Sequence, residues 1–145
     1  MTATAITVPT SSTEPRTAIR PVWKTGVAAG LTASAATMAT AAVAHAAGVS
    51  LAVGGKAIPL SGFAQVTLVA TMIGTLLAAV FARRAERPRH TFVVTTIALV
   101  LLSFAPDVVA DAQVSTRLTL ALTHVVAAAI VIPALAARLA ESARP

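Results

Sequence analysis

Two histidines and two aspartates are the side chains best able to do chemistry in this sequence. His124 lies deep within an apolar run, about two helical turns or roughly 10 Å past Arg117, and His45 closes another run. Asp107 and Asp111 are four residues apart, so a helix continuing through both would set their carboxylates on one face. All four fall toward the same end of the runs that carry them. Two imidazoles and two carboxylates meeting there suit a polar ligand, a proton or a divalent metal. They come from separate segments without a metal-ligand spacing, so neither a metal nor a cofactor is assigned. A neutral, hydrogen-bonded His124 beside interfacial acids is the plainer alternative, and His90, next to a basic loop, reads as interfacial.

No Gly-rich phosphate loop, Ser-His-Asp arrangement or HExxH motif is present, and the expected spans contain no acid, so no reaction is assigned and a non-enzymatic protein is expected. The acid-free first span also disfavours proton-coupled export of the kind that small four-helix drug exporters run on a membrane carboxylate. With no cysteine, disulfides and thiolate chemistry are excluded.

The solvent that positions these residues follows from composition. Of 145 residues, 57% are hydrophobic and 11% charged, with a mean hydropathy of +0.84. Soluble domains carry about a quarter charged residues, so hydrocarbon is expected to surround most of this chain. The net charge of +6 does not point to nucleic acid, because the basic residues flank apolar runs instead of forming a face interleaved with aromatics.

Four uncharged runs are long enough to cross a bilayer, at about 25–47, 60–82, 90–106 and 118–137. The third is the shortest and needs Arg89 to snorkel and Asp107 to sit among headgroups. Gly48 ends the first run, and Gly54, Gly55 and Pro59 punctuate a short loop. Pro88, after the basic stretch from Arg83 to Arg87, suits the first turn of the third helix. Residues 1–22, rich in Thr, Ser and Pro, read as a disordered tail, 23–139 as the membrane domain and 140–145 as a short polar tail. The segment from Arg16 to Ala46 also resembles a secretory signal, but its apolar run exceeds the roughly 7–15 residues of a signal core, so it is expected to stay as a span.

Orientation follows from the lysines and arginines. Arg16, Arg20, Lys24, Arg83, Arg84, Arg87, Arg89, Arg138 and Arg144 fall on one side, against Lys56 and Arg117 on the other. Cytoplasmic loops hold the excess of such residues. The expected fold is therefore an all-α bundle of four transmembrane helices, up-down-up-down, in the cell membrane with both termini cytoplasmic.

Packing is expected to use small and hydroxylated residues, since lipid gives helices no hydrophobic reason to associate. Gly26, Gly30 and Ser34 form a ridge at intervals of four, which serves packing within the bundle or a homodimer contact. Thr67, Thr71 and Thr75 form a stripe beside Gly74 and Ala78. Pro133 removes a bond to the Ala129 carbonyl and marks a candidate hinge. Partners are expected to be the bilayer and either another membrane protein or a second copy.

The segments Ile58 to Ala64 (IPLSGFA), Ile73 to Ala79 (IGTLLAA) and Leu120 to Pro133 (LALTHVVAAAIVIP) resemble the small four-helix bacterial membrane proteins classed as domain of unknown function 6069. The resemblance runs from about Trp23 to Leu139. It implies the four spans and the pairing of His124 with Pro133 in one helix, and it brings no activity.

Overall fold

The computed structural model describes residues 19–142. They form α1 (Ile19–Ala46), a ribbon of β1 (Ala52–Val53) and β2 (Lys56–Ala57), α2 (Leu60–Arg84), α3 (Pro88–Val109) and α4 (Val114–Ser142). Each helix contains a stretch long and apolar enough to cross a membrane. Even α3, with 22 residues, reaches about 33 Å at roughly 1.5 Å per residue, against a hydrocarbon core of about 30 Å. Leu31, Val66, Met72, Leu101, Leu102 and Val125 all face outward. An exterior this apolar is solvated by lipid, and the protein is an all-α, four-helix membrane protein.

Every helix is longer than its uncharged run. α1 is already helical at Ile19, and Val22 is wholly buried, so the membrane domain begins inside the segment read as a tail. Pro21 sits in the first turn, where its missing N–H has no intrahelical partner to lose. The rest of that tail, residues 1–18, lies outside the described residues. At the other end α4 continues through Arg138 to Ser142, and Leu139 packs into the core beside Val22. Charge ends a hydrophobic run without breaking backbone hydrogen bonds, so helix and span boundaries differ.

The same effect moves α3. It runs through Pro106 to Val109, because a proline near a helix end removes one bond, here to the Leu102 carbonyl, while neighbouring helices hold the turn. Asp107 therefore lies within the third membrane-crossing helix, which corrects the expectation of acid-free spans.

α1 and α2 meet along the ridge and the threonine stripe. Gly26 lies against Thr75, Gly30 against Thr71, Ser34 Oγ donates to the Ala64 carbonyl at 3.1 Å, and Thr37 and Thr67 share a hydroxyl bond at 3.0 Å. Thr71 and Thr75 also donate to the carbonyls one turn back, each at 2.8 Å. Each buried hydroxyl thus has a partner in a medium without water. The main core, with Ala29, Ala33, Ala78, Phe92, Val131 and Leu135, adjoins this seam on the same buried face of α1.

The link after α1 is more ordered than a loop. The Gly48 N–H donates to the His45 carbonyl and the Val49 N–H to the Ala44 carbonyl, both at 3.0 Å, with Gly48 at φ 89°. This is a Schellman C-cap, which needs the left-handed conformation that glycine adopts without penalty. Gly54 and Gly55, at φ 56° and 75°, make the two-residue turn that pairs β1 with β2. Leu51 is held at φ 47° but is buried with Ala41 and Phe63 under the ribbon. The Gly54 N–H donates to the Asp111 carbonyl at 2.8 Å, so the first and third links lie together. Thr25 Oγ1 accepts from Arg138 Nε at 3.0 Å at the opposite end of the bundle.

Candidate ligand-binding site

α3 and α4 are joined by the short link from Ala110 to Gln113, which folds Asp107 back onto His124. His124 Nδ1 lies 2.9 Å from the Leu120 carbonyl one turn earlier and 3.3 Å from Asp107 Oδ2. A carbonyl can only accept, so the nitrogen facing it carries the proton, and a neutral imidazole then presents Nε2 as an acceptor. Phe104 meets the ring edge-on, with centroids 5.9 Å apart at 77°. Three groups from two helices therefore fix this imidazole.

The aspartate contact is electrostatic and not a directed hydrogen bond. Asp107 Oδ2 is buried and makes no hydrogen bond among the described residues, although it lies within ion-pair distance of Nδ1. The Asp107 side chain is 13% exposed and that of His124 35%. The carboxyl is thus the enclosed member and the imidazole the accessible one.

His124 also lines an apolar cleft, a volume of about 270 Å³ between α2, α3 and α4 whose walls include Gly74, Leu77, Phe92, Thr96 and Ser103. It exists because α3 is anchored unevenly. The buried side chains of α3 are Phe92 and Thr96, both near its start, and beyond them Leu99, Leu101 and Leu102 are exposed. The wall hydroxyls turn their protons inward, Thr96 to the Phe92 carbonyl at 2.7 Å and Ser103 to the Val100 carbonyl at 2.6 Å. The surface left to an occupant is apolar with a few acceptor atoms, and His124 is its strongest polar group.

The wider constellation does not assemble. His45 is exposed at the end of α1, where its Nδ1 is 3.3 Å from the Val49 carbonyl. Asp111 lies beyond the end of α3, so it does not share a helical face with Asp107, and its carbonyl is the part the fold uses. Among the described residues, no three His, Cys, Asp or Glu side chains are grouped to hold a metal ion.

Gly26, Gly30 and Ser34 are covered by α2, so this ridge is closed to a second copy in the folded chain. Gly74 departs from its expected role at a helix contact. A Cβ there would meet nothing within 4 Å, because Gly74 faces the cleft and not a neighbouring backbone. Pro133 sits on an exposed face of α4, which remains helical on both sides of it.

A family profile matches residues 17–141, which takes in nearly all of the four helices and their links. The chain belongs to that family. It is described as a family of unknown function, DUF6069. No curated protein and no solved structure matches the chain. In this DUF6069 member, Phe104, Ser103, Phe92 and Thr96 carry no ionisable group and so do not stand out in the sequence as site residues. Ser103, Phe104 and Asp107 are spaced three and four apart, which places them on one side of α3. That spacing was the available signal, once α3 was allowed to pass Pro106.

Proposed function

We propose that the chain is a non-enzymatic structural or regulatory component of the cell membrane, crossing it four times up-down-up-down with both termini in the cytoplasm. The observation that carries this reading is the use made of polar groups in the α1–α2 seam. Ser34 and the Thr37–Thr67 pair bond across the two helices, while Thr71 and Thr75 donate to their own helix and pack against Gly30 and Gly26, so the polar groups of the seam serve helix packing. The topology is supported by the bond between the first and third links and by the Arg138–Thr25 contact at the other end. The cytoplasmic placement of the termini is supported by the bias of lysine and arginine toward the tails and the second link. A partner in the same bilayer would meet the apolar outer faces.

A second reading, a small ligand-binding or transport protein, is favoured by the cleft and by the Asp107 contact behind its one imidazole. Replacing His124 with Ala and with Phe separates the two. Loss of assembly with Phe alone indicates packing. Loss of function with both, while native complexes persist on non-denaturing gels, indicates a ligand. If both variants keep every phenotype and complex, His124 serves neither role and the second reading falls.

A further inference from the structure

We propose that the cleft binds a lipophilic amine, with the alkyl chain between α2, α3 and α4 and the ammonium head against His124, where the Asp107 carboxylate supplies the opposite charge. This rests on the ligand-binding reading and names its ligand class.

Size sets the chain. A methylene takes slightly less room than a water molecule, whose share of liquid volume is about 30 Å³, so a cleft of about 270 Å³ holds a chain of roughly ten carbons. The wall runs along α4 from His124 to Ile132, a rise of about 12 Å, which matches an extended chain of that size. The cleft is nearly free of exposed donors, because Thr71, Thr96 and Ser103 direct theirs to carbonyls of their own helices.

Chemistry sets the head. With Nδ1–H turned to the Leu120 carbonyl, the imidazole has Nε2 left for an occupant, and in the neutral ring that atom accepts. The occupant must therefore donate. Behind the ring, Asp107 Oδ2 is enclosed without a hydrogen bond, and a carboxylate so placed is stabilised by a nearby positive charge. Arg117 does not provide it. That residue lies about two turns toward the start of α4, and among the described residues the side chain within ion-pair distance of Asp107 is the neutral His124 imidazole. A protonated amine supplies donor and charge together, a long-chain alcohol only the donor, and a fatty acid anion neither.

Gly74 gives a direct test, since it lines the cleft and a Cβ added there meets nothing within 4 Å. The full-length protein in lipid nanodiscs is titrated with decylamine, decanol and decanoate, and the melting temperature is followed. Decylamine is expected to raise it more than the other two do. Asp107→Asn is expected to weaken the decylamine effect at least tenfold in apparent affinity and Gly74→Leu to abolish it. Circular dichroism and the unliganded melting temperature establish that each variant is folded. If decanol matches decylamine, or Asp107→Asn binds as well as the parent, the amine assignment is wrong while the cleft remains a ligand site. Preferential binding of decanoate overturns the charge assignment. If no probe shifts the melting temperature, or a folded Gly74→Leu responds like the parent, the cleft is not a ligand site and the reading beneath the proposal fails too.

Discussion

Gly26 and Thr75 make the tightest approach between α1 and α2. A Cβ on Gly26 would come within 2.9 Å of the Thr75 Cβ and closer still to its Cγ2 and Oγ1. Thr75 has little freedom to retreat, because it is buried and its hydroxyl is bonded to the Thr71 carbonyl. Gly26→Ala should therefore destabilise the fold by about 1–3 kcal/mol, the usual cost of overpacking. Gly30→Ala should cost less, since its nearest contact is Thr71 Cγ2 at 3.2 Å. Reversible unfolding in mixed micelles measures both. Adding Thr75→Ala to Gly26→Ala should recover part of the loss, a non-additivity expected only of residues that touch.

Thr37 and Thr67 join the same two helices by a hydroxyl pair at 3.0 Å. A double-mutant cycle with Thr37→Val and Thr67→Val should give a coupling of about 0.6 kcal/mol, the average for such bonds inside membranes. A coupling near zero would show that each hydroxyl is satisfied by its own helix, as the Thr37 bond to the Ser34 carbonyl already is in part.

Gly48 and Gly74 offer a matched comparison. A Cβ at either position meets nothing within 4 Å, so sterics with neighbours cancel and backbone conformation decides. Gly48→Ala forces alanine to φ 89° and should cost about 1–2 kcal/mol. Gly74→Ala lies inside a helix and should stabilise by up to about 1 kcal/mol through helix propensity. Opposite signs in one unfolding assay are the expected result.

Phe92 is fully buried and, with Thr96, anchors the start of α3. Phe92→Ala should cost about 3 kcal/mol, and its effect should be local. Limited proteolysis at the link from Ala85 to Arg87 should accelerate, while cleavage near Gly55 stays unchanged. Equal acceleration at both places would mean that Phe92 holds the whole bundle and not one helix.

The absence of native cysteine makes topology easy to test. Single cysteines at Gly55 and at Arg87 should react with an impermeant maleimide from opposite faces of intact cells or inverted vesicles. Labelling of both from one face would overturn the up-down-up-down arrangement proposed here.

The four helices were legible because each carries an uncharged run of membrane length, and Gly48 and Pro88 were legible as helix stop and start. The helices reach past the uncharged runs because a charge, as at Arg138, or a proline in a first or last turn, as at Pro21 and Pro106, does not end a helix. The ribbon was missed because two residues per strand are too few to show alternation. In the site, His124 and Asp107 stood out as ionisable groups near apolar runs, but their contact depends on the turn from Ala110 to Gln113, which no spacing encodes. His45 and Asp111 looked equivalent to them in sequence. Gly74 was read with the packing glycines because small residues at close-packed and at open positions look alike until the neighbouring helix is placed.

α3 is held at both extremities, by buried side chains at its start and by backbone past its end, with Phe104 and Asp107 meeting His124 between them. Phe92 and Thr96 fasten one, and the Gly54–Asp111 backbone bond just past its last turn fastens the other. In between, no α3 side chain is fully buried, and Pro106 leaves the Leu102 carbonyl without its usual donor. The cleft behind α3 is bordered by Ile73 and Leu99, both exposed on the apolar exterior, so its open side faces the bilayer. Any guest would thus slip in from the oily flank, and molecules already dissolved among the acyl chains would arrive ahead of those in water.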